Sequence, residues 1–365
     1  MKANVSLLIL VLAVAVSLAA QTQNIPPGTP AAPPSATPRP VAPGGQQNPP
    51  AIIVRTENVI VPVTVKDNRG QLVGDLQKED FRIFVDGVEQ KILGFSSNAV
   101  PLSAVVLIDN DLEQKQAAGV QRSLAAIAAG FGPADETALV TYEAFPKTVL
   151  DFSFNNDLLF TQLKRLDLAS HPAGVISDPT TAPPNVNGQP LPTGTGLQPP
   201  HSALRYKKIS ALNDALYAAN EMLKTRGRER RKIIFLVSDT TNTSNSHTFE
   251  ETLHELEIDD VSVYSISVVH QLPVGRSLAQ RGAEQVDRYA TDTGGDTFYG
   301  SKQQDLERLY SDVTEQARNE YTLTFSPQDI DRTHDYHEIE VRVKRPDLTI
   351  VTRQGYFQSA FNIGH

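Results

Sequence analysis

Ala104-Val105-Val106-Leu107-Ile108-Asp109-Asn110-Asp111-Leu112-Glu113 is the stretch whose reading decides the fold. Five consecutive apolar residues suit a strand covered on both faces, which is the usual state of a strand in a parallel sheet. Open α/β sheets bind ligands just beyond the carboxyl ends of their strands. Asp109, Asp111 and Glu113 stand at alternate positions there, and like charges so close together call for compensation. A hard cation that prefers oxygen ligands, Mg²⁺ or Ca²⁺, would supply it. A solvated acidic loop is the other reading of the same residues.

Further strand-like runs recur at 138–142, 233–237 and 261–269. Helical periodicity lies between them: Leu212, Leu216, Ala219 and Leu223 share one face, and Leu306, Leu309, Val313 and Ala317 share another. Thr248 with Glu251, and Ser301 with Gln304, have the spacing of capping boxes. Strands alternating with helices predict an α/β fold with a doubly wound, mostly parallel sheet. Both flanks change to period-2 alternation. Val59, Val61, Val63 and Val65 open one strand, and Pro62 places it at an edge or bulge. Residues 80–85, the Asp86-Gly87 turn and a return strand over 88–95 read as a hairpin. Tyr321, Leu323 and Phe325, then Ile339, Val341 and Val343, alternate in the same way. One β-sandwich built from both flanks, with the α/β unit inserted, is the expected architecture; two separate β units are the alternative.

The 365 residues are 40% hydrophobic with a net charge of -9, a balance that argues against binding a nucleic-acid backbone. The basic run Arg226-Gly227-Arg228-Glu229-Arg230-Arg231-Lys232 reads as a solvated turn between a helix and a strand. The absence of cysteine excludes disulfides, thiolate metal sites, cysteine nucleophiles and a lipoprotein anchor. Lys2, the apolar run 5–18 and the small residues near Ala19 predict an exported protein with a signal over 1–20. That run is short for a membrane span, and an uncleaved anchor is the alternative. Residues 21–51 read as a Pro-rich disordered linker, and 171–202 as a disordered Pro/Gly insertion. The expected organisation is then a β segment over 52–100, the α/β unit over 101–318 and a second β segment over 319–358.

Taken together, these residues resemble a von Willebrand factor type A (VWA) domain, and the flanks resemble its acidobacterial VWA-related subgroup. The likeness rests on Val61-Pro62-Val63-Thr64-Val65, Asp80-Phe81, Asp86-Gly87, Pro101-Leu102-Ser103, the run 210–216 (SALNDAL), Phe235-Leu236-Val237-Ser238-Asp239, Thr293-Gly294-Gly295, Tyr321-Thr322-Leu323 and Arg353-Gln354-Gly355-Tyr356. It implies a metal-ion-dependent adhesion site of the pattern Asp-x-Ser-x-Ser, a threonine and a later aspartate. Asp109 matches the first aspartate and Asp239 the last; Asp111 and Glu113 replace the two serines, Ser210 replaces the threonine, and Thr240 stands where a glycine usually follows. The metal-ligand set implied is Asp109, Asp111, Glu113, Ser210 and Asp239, more acidic than the family's. The implied function is non-enzymatic binding of a protein or other macromolecule at the sheet's carboxyl edge, with or without a divalent ion.

A strand followed by Asp-x-Asp also resembles the nucleophile loop of haloacid-dehalogenase-like phosphatases. Asp109 would then accept a phosphoryl group and Asp111 act as acid and base, with Mg²⁺ bound, Ser238 touching phosphate, and Asp259 or Asp260 near the metal. The eight histidines are scattered and no Gly-x-Ser-x-Gly elbow occurs, so a hydrolytic triad is not indicated. His334 and His337 read as part of a solvated polar turn.

Overall fold

The computed structural model describes residues 58–168, 210–268 and 278–358, apart from single positions 113, 228, 301, 329 and 332, and also residues 185–186 and 189–190. The expected signal (1–20) and linker (21–51) lie outside the described residues. So does the insertion, apart from two short paired strands within it.

The described residues open with β1 (Val59–Lys66), β2 (Phe81–Val85), β3 (Val88–Gln90) and β4 (Ile92–Ser96). The α/β part follows as β5 (Leu102–Asp109), α1 (Gln114–Ser123), β6 (Glu136–Tyr142), β7 (Pro146–Ser153) and α2 (Asn156–Arg165). After the short pair β8 (Asn185–Val186) and β9 (Gln189–Pro190) come α3 (Leu212–Lys224), β10 (Arg231–Ser238), α4 (Phe249–Ile258), β11 (Val261–Ser267), α5 (Leu278–Thr293), β12 (Thr297–Tyr299) and α6 (Gln303–Arg318). The chain then returns to β13 (Tyr321–Phe325), β14 (Tyr336–Val343), β15 (Thr349–Thr352) and β16 (Gly355–Phe357).

Six strands form the central sheet in the order β12-β11-β10-β5-β6-β7; all are parallel except β7, which runs antiparallel to β6. Every residue of β5 is buried, because helices cover both faces. Ile108 and Val106 pack with α1, α2 and α6 on one side, and Leu107 and Val105 with α3, α4 and α5 on the other. The helical stripes read from sequence are the surfaces that close these two cores. Thr248 and Glu251 form the expected capping box, with Thr248 Oγ1 accepting from Glu251 N and Glu251 Oε2 accepting from Thr248 N. Ser301 of the second expected box lies outside the described residues; α6 follows Lys302 as its N-cap, without a side-chain hydrogen bond.

Two four-stranded antiparallel sheets, β15-β1-β13-β4 and β16-β14-β2-β3, share a third apolar cluster that includes Val61, Val63, Ile83, Leu323 and Tyr356. Each mixes N- and C-terminal strands: β1 pairs with β13 and β15, and β2 with β14. Pro62 has no N–H to donate, and it sits just beyond the β15 ladder, which covers only 63–66. The return strand expected over 88–95 is in fact two. β3 completes the hairpin with β2, and after Lys91 the chain crosses to the other sheet, where β4 pairs with β13. Asp80 belongs to a short 3₁₀ turn rather than to β2.

Two solvated readings are also corrected. Arg226 pairs with Glu136 at 3.4 Å, Arg230 Nη2 donates to the Leu102 and Ala134 carbonyls, Arg231 meets buried Glu320 at 3.2 Å, and Lys232 Nζ donates to the Asp259 carbonyl. The basic run is therefore an anchor at the sheet's lower edge; its acidic partners are far away in sequence. His337 is buried in β14, with Nδ1 2.7 Å from Asp86 Oδ2. Among the described residues no helix is long and apolar enough to cross a membrane.

Candidate functional site

Parallel strands finish at the same edge, so the last residues of β6, β5, β10 and β11 form a row. Asp109 registers with Tyr142, Val237 with Ile108, and Ser238 with Ser267. Alternation turns Asp109 away from Ile108, toward the α3–α5 side where Tyr142 packs. A buried chain of hydrogen bonds crosses the row: Tyr142 OH donates to Ser238 Oγ at 2.9 Å, and Ser238 Oγ donates to Asp109 Oδ2 at 3.2 Å. Asp109 Oδ1 accepts from the Asp111 backbone at 3.0 Å, which curls the loop after β5 back over the strand end.

Two other loops close on this row. The β6–β7 turn receives the α3 entry, with Ala211 N donating to the Glu143 carbonyl at 2.8 Å. The loop after β10 is tied to the same entry: Ser210 N donates to Thr243 Oγ1 at 2.8 Å, and Thr243 N donates back to the Ser210 carbonyl at 2.9 Å. Asp239 Oδ1 accepts from Thr241 N, which fixes that carboxylate at the head of its loop. Asp109, Asp111, Ser210 and Asp239 are all buried. Glu113 lies outside the described residues. Burial first, and then the negative charges of Asp109 and Asp239, push the Tyr142 pKa well up, against its hydrogen bond with the Ser238 hydroxyl, which pulls it down.

Ser210 Oγ and Thr240 Oγ1 are buried without a partner in hydrogen-bond geometry. A buried, unsatisfied hydroxyl is costly, and a bound ion or water is one of the things that completes it. Carboxylates and hydroxyls are also the hard oxygen donors that Mg²⁺ and Ca²⁺ take. The donor set therefore fits such an ion. A different acidic group, Glu221, Glu255 and Asp259, brings its oxygens within 4.8 Å of one another. Lys224 Nζ already sits 3.3, 3.4 and 3.7 Å from these three carboxylates, so an ammonium compensates them.

Thr240 carries strain. Its φ is 65°, in the left-handed region that a β-branched residue avoids. Helix α5 presses on the same peptide: a Cβ on Gly282 would lie 1.9 Å from the Thr240 carbonyl oxygen. Asn242, two residues on, donates to both Asn213 Oδ1 and Gln285 Oε1. Relief of the left-handed penalty, roughly 1–2 kcal/mol, and removal of the orphan hydroxyl outweigh the greater backbone freedom of glycine. Thr240→Gly is thus expected to stabilise the protein by about 1 kcal/mol in urea unfolding. A net loss would mean that the Thr240 side chain supports the loop by packing.

The loop's far end is stapled to α3. Asp214 accepts from Ser246 N and His247 N, its Oδ1 is 2.9 Å from His247 Nδ1, and the His247 ring stacks on Tyr217 at 3.9 Å. Burial alone would raise the Asp214 pKa, but these donors hold it below the ordinary carboxylate value. Sequence reading missed Tyr142, Ser238 as a link, Thr243 and the Asp214 staple. Only the rule that parallel strands end together could have pointed to the first two.

The metal role that the phosphatase reading gave to Asp259 or Asp260 fails on placement. Asp259 and Asp260 immediately precede β11, whose first residue registers with Lys232 near the start of β10. They therefore lie at the opposite edge of the sheet from Asp109, where Asp260 pairs with Arg353.

No family model matches the sequence, and no curated protein matches it. Solved structures with a similar backbone include proximal thread matrix protein 1 from the mussel byssus, with 11% identity, 60% of this chain covered and a TM-score of 0.41. This chain spans about half of that protein, 49% of its length. An aerotolerance-related membrane protein from Bacteroides fragilis is similar at 9% identity, covering 59% of this chain and 98% of that one, with a TM-score of 0.40. The SpRpn10 VWA domain is similar at 12% identity, covering 60% and 95%, with a TM-score of 0.32. Similarities this low assign neither family nor function.

Proposed function

We propose that this chain is an exported, non-enzymatic interaction module of the VWA type, of the acidobacterial VWA-related subgroup, framed by a β-sandwich. It binds a protein or other macromolecule at the carboxyl edge of its central sheet. Asp109, Asp111, Ser210 and Asp239, with Glu113 from the same loop, hold an Mg²⁺ or Ca²⁺ ion there. The observation that carries this reading is the convergence of three segments distant in sequence on one rim: Ser238 Oγ, at the end of β10, donates to Asp109 Oδ2, and the loop that follows is bonded through Thr243 to Ser210 at the entry of α3. The strand order supports it as well, because β5 and β10 lie side by side at the centre of the sheet with their ligand-bearing ends together.

Thermal unfolding with Mg²⁺, Ca²⁺ or a chelator tests the ion. An ion that binds only the folded state stabilises it by mass action, about 2.7 kcal/mol at a hundred times its dissociation constant. The stabilisation is expected to vanish in Asp109→Ala with Asp239→Ala. Ser210→Ala is the gentler variant: it removes an unsatisfied hydroxyl, so folding is preserved while the ion response weakens. No response of the parent protein to either ion would remove the metal from the proposal.

A further inference from the structure

The sheet β16-β14-β2-β3 turns one face to the sandwich core and the other outward. Alternation along β14 sends Tyr336, Glu338, Glu340 and Arg342 to the outer face, where Arg82 and Phe84 of β2 and Glu89 of β3 join them. Register sets Phe84 between Glu340 and Glu89, and Arg82 beside Arg342. Asp86 N donates to the Glu338 carbonyl, which brings the hairpin turn alongside. Asp86, Glu89, Glu338 and Glu340 stand against only Arg82 and Arg342, so the face is acidic. A hollow of about 250 Å³ lies in it, with Phe84, Asp86, Tyr336, Glu338, Glu340 and Gln354 in its walls.

The face already seats one arginine of its own. The Arg342 guanidinium lies 4.3 Å from the centre of the Phe84 ring, while its Nε and Nη2 donate to the two oxygens of Glu340 at 2.6 and 2.7 Å. A planar fork on a carboxylate with a ring against it is a geometry that arginine makes and lysine does not. One pleat along β14 the same two parts recur, the Tyr336 ring and the Glu338 carboxylate, and both wall the hollow. There the cation is missing: Glu338 is exposed and forms no ion pair among the described residues. The hollow is smaller than the roughly 300–1,000 Å³ of sites that enclose whole small ligands, which suits a single side chain. Nor do its carboxylates gather as metal ligands do; among the described residues the group of three that is so close is Glu221, Glu255 and Asp259.

We propose that this hollow takes an arginine side chain of a partner protein, its guanidinium forked onto Glu338 and flat against Tyr336. The outer sheet face is then a second interaction surface, independent of the carboxyl-edge site. Titrating the full chain with the blocked tripeptide Gly-Arg-Gly, read by amide chemical shifts, tests it; a chelator is present so that no ion at the carboxyl edge takes part. Saturable shifts are expected at β14, β2 and the Asp86 turn. The tripeptide with citrulline in place of arginine keeps the shape without the charge and should bind about tenfold more weakly or worse, and the lysine tripeptide should also bind more weakly. Glu338→Gln should weaken arginine binding by about tenfold. Glu89→Gln, on the same face but outside the hollow, should change it by no more than about twofold. Both side chains are exposed, so both variants should keep the parent's unfolding curve. Absence of saturable binding overturns the proposal, as does equal binding of the citrulline or lysine peptide. Equal losses in the two variants also overturn it, since diffuse negative charge would then account for the attraction.

Discussion

Arg231→Met is expected to destabilise the protein by about 3–5 kcal/mol, the cost of stranding a buried charge. Glu320 is fully buried between α6 and β13, and its carboxylate has Arg231 at 3.2 Å and the Tyr264 hydroxyl as a donor. Burial raises the Glu320 pKa while Arg231 and Tyr264 oppose it. Arg231 also donates to the Ala317 carbonyl at the end of α6 and to Thr322 Oγ1 in β13. Its loss would orphan acceptors in both the helix and the flanking sheet. Adding Glu320→Gln removes the stranded charge and keeps an acceptor for Tyr264. At least half of the lost stability should return, giving a coupling energy readable in a double-mutant cycle. Urea unfolding of the four proteins checks this; strictly additive losses would show that the pair does not act as a unit.

The second large effect is a pH dependence centred on Glu257. Burial, opposed by Arg353 and reinforced by the charge of Asp292, pushes this carboxyl up to about 7. A folded-state pKa above the unfolded one means that the native protein binds the extra proton. Glu257 therefore favours folding fully below about pH 4.5, and this contribution is lost as pH rises toward 7. The full shift corresponds to at most about 3 kcal/mol. Glu257→Gln mimics the protonated form and should remove that slope. Comparing urea unfolding of parent and variant at pH 5 and pH 8 cancels the other titrating groups. The variant should gain on the parent by up to about 3 kcal/mol between the two conditions. An unchanged difference would mean that water reaches the carboxylate.

Much of this molecule was readable in the sequence, and the failures have physical causes. The 104–108 run identified a doubly covered strand because helices on both faces leave no polar position in it. Asp109 stood out because it follows such a strand directly, at the carboxyl edge where open α/β sheets take ligands. The link from Tyr142 through Ser238 to Asp109 was invisible, since it depends on the register between strands and a single sequence does not state register. The break at Lys91 was hidden because period-2 alternation continues while the chain changes sheets. Arg230 and Arg231 read as solvated because Glu136 and Glu320 are some ninety residues away along the chain. Thr240 was visible as a replacement for glycine, but its cost emerged only with the backbone angle.

The interleaving of the flanks has a consequence for biogenesis. Val59 opens the first strand, yet its ladder partner is Phe325, and the other neighbour of that strand is at 349–352. A nascent chain must therefore carry β1, with its row of valines, unpaired through the synthesis of the whole α/β region. Contacts so distant along the chain form slowly, and an apolar strand kept waiting is prone to wrong partners. Protection of that segment, by a chaperone or by delayed release, is the demand this topology places on the cell.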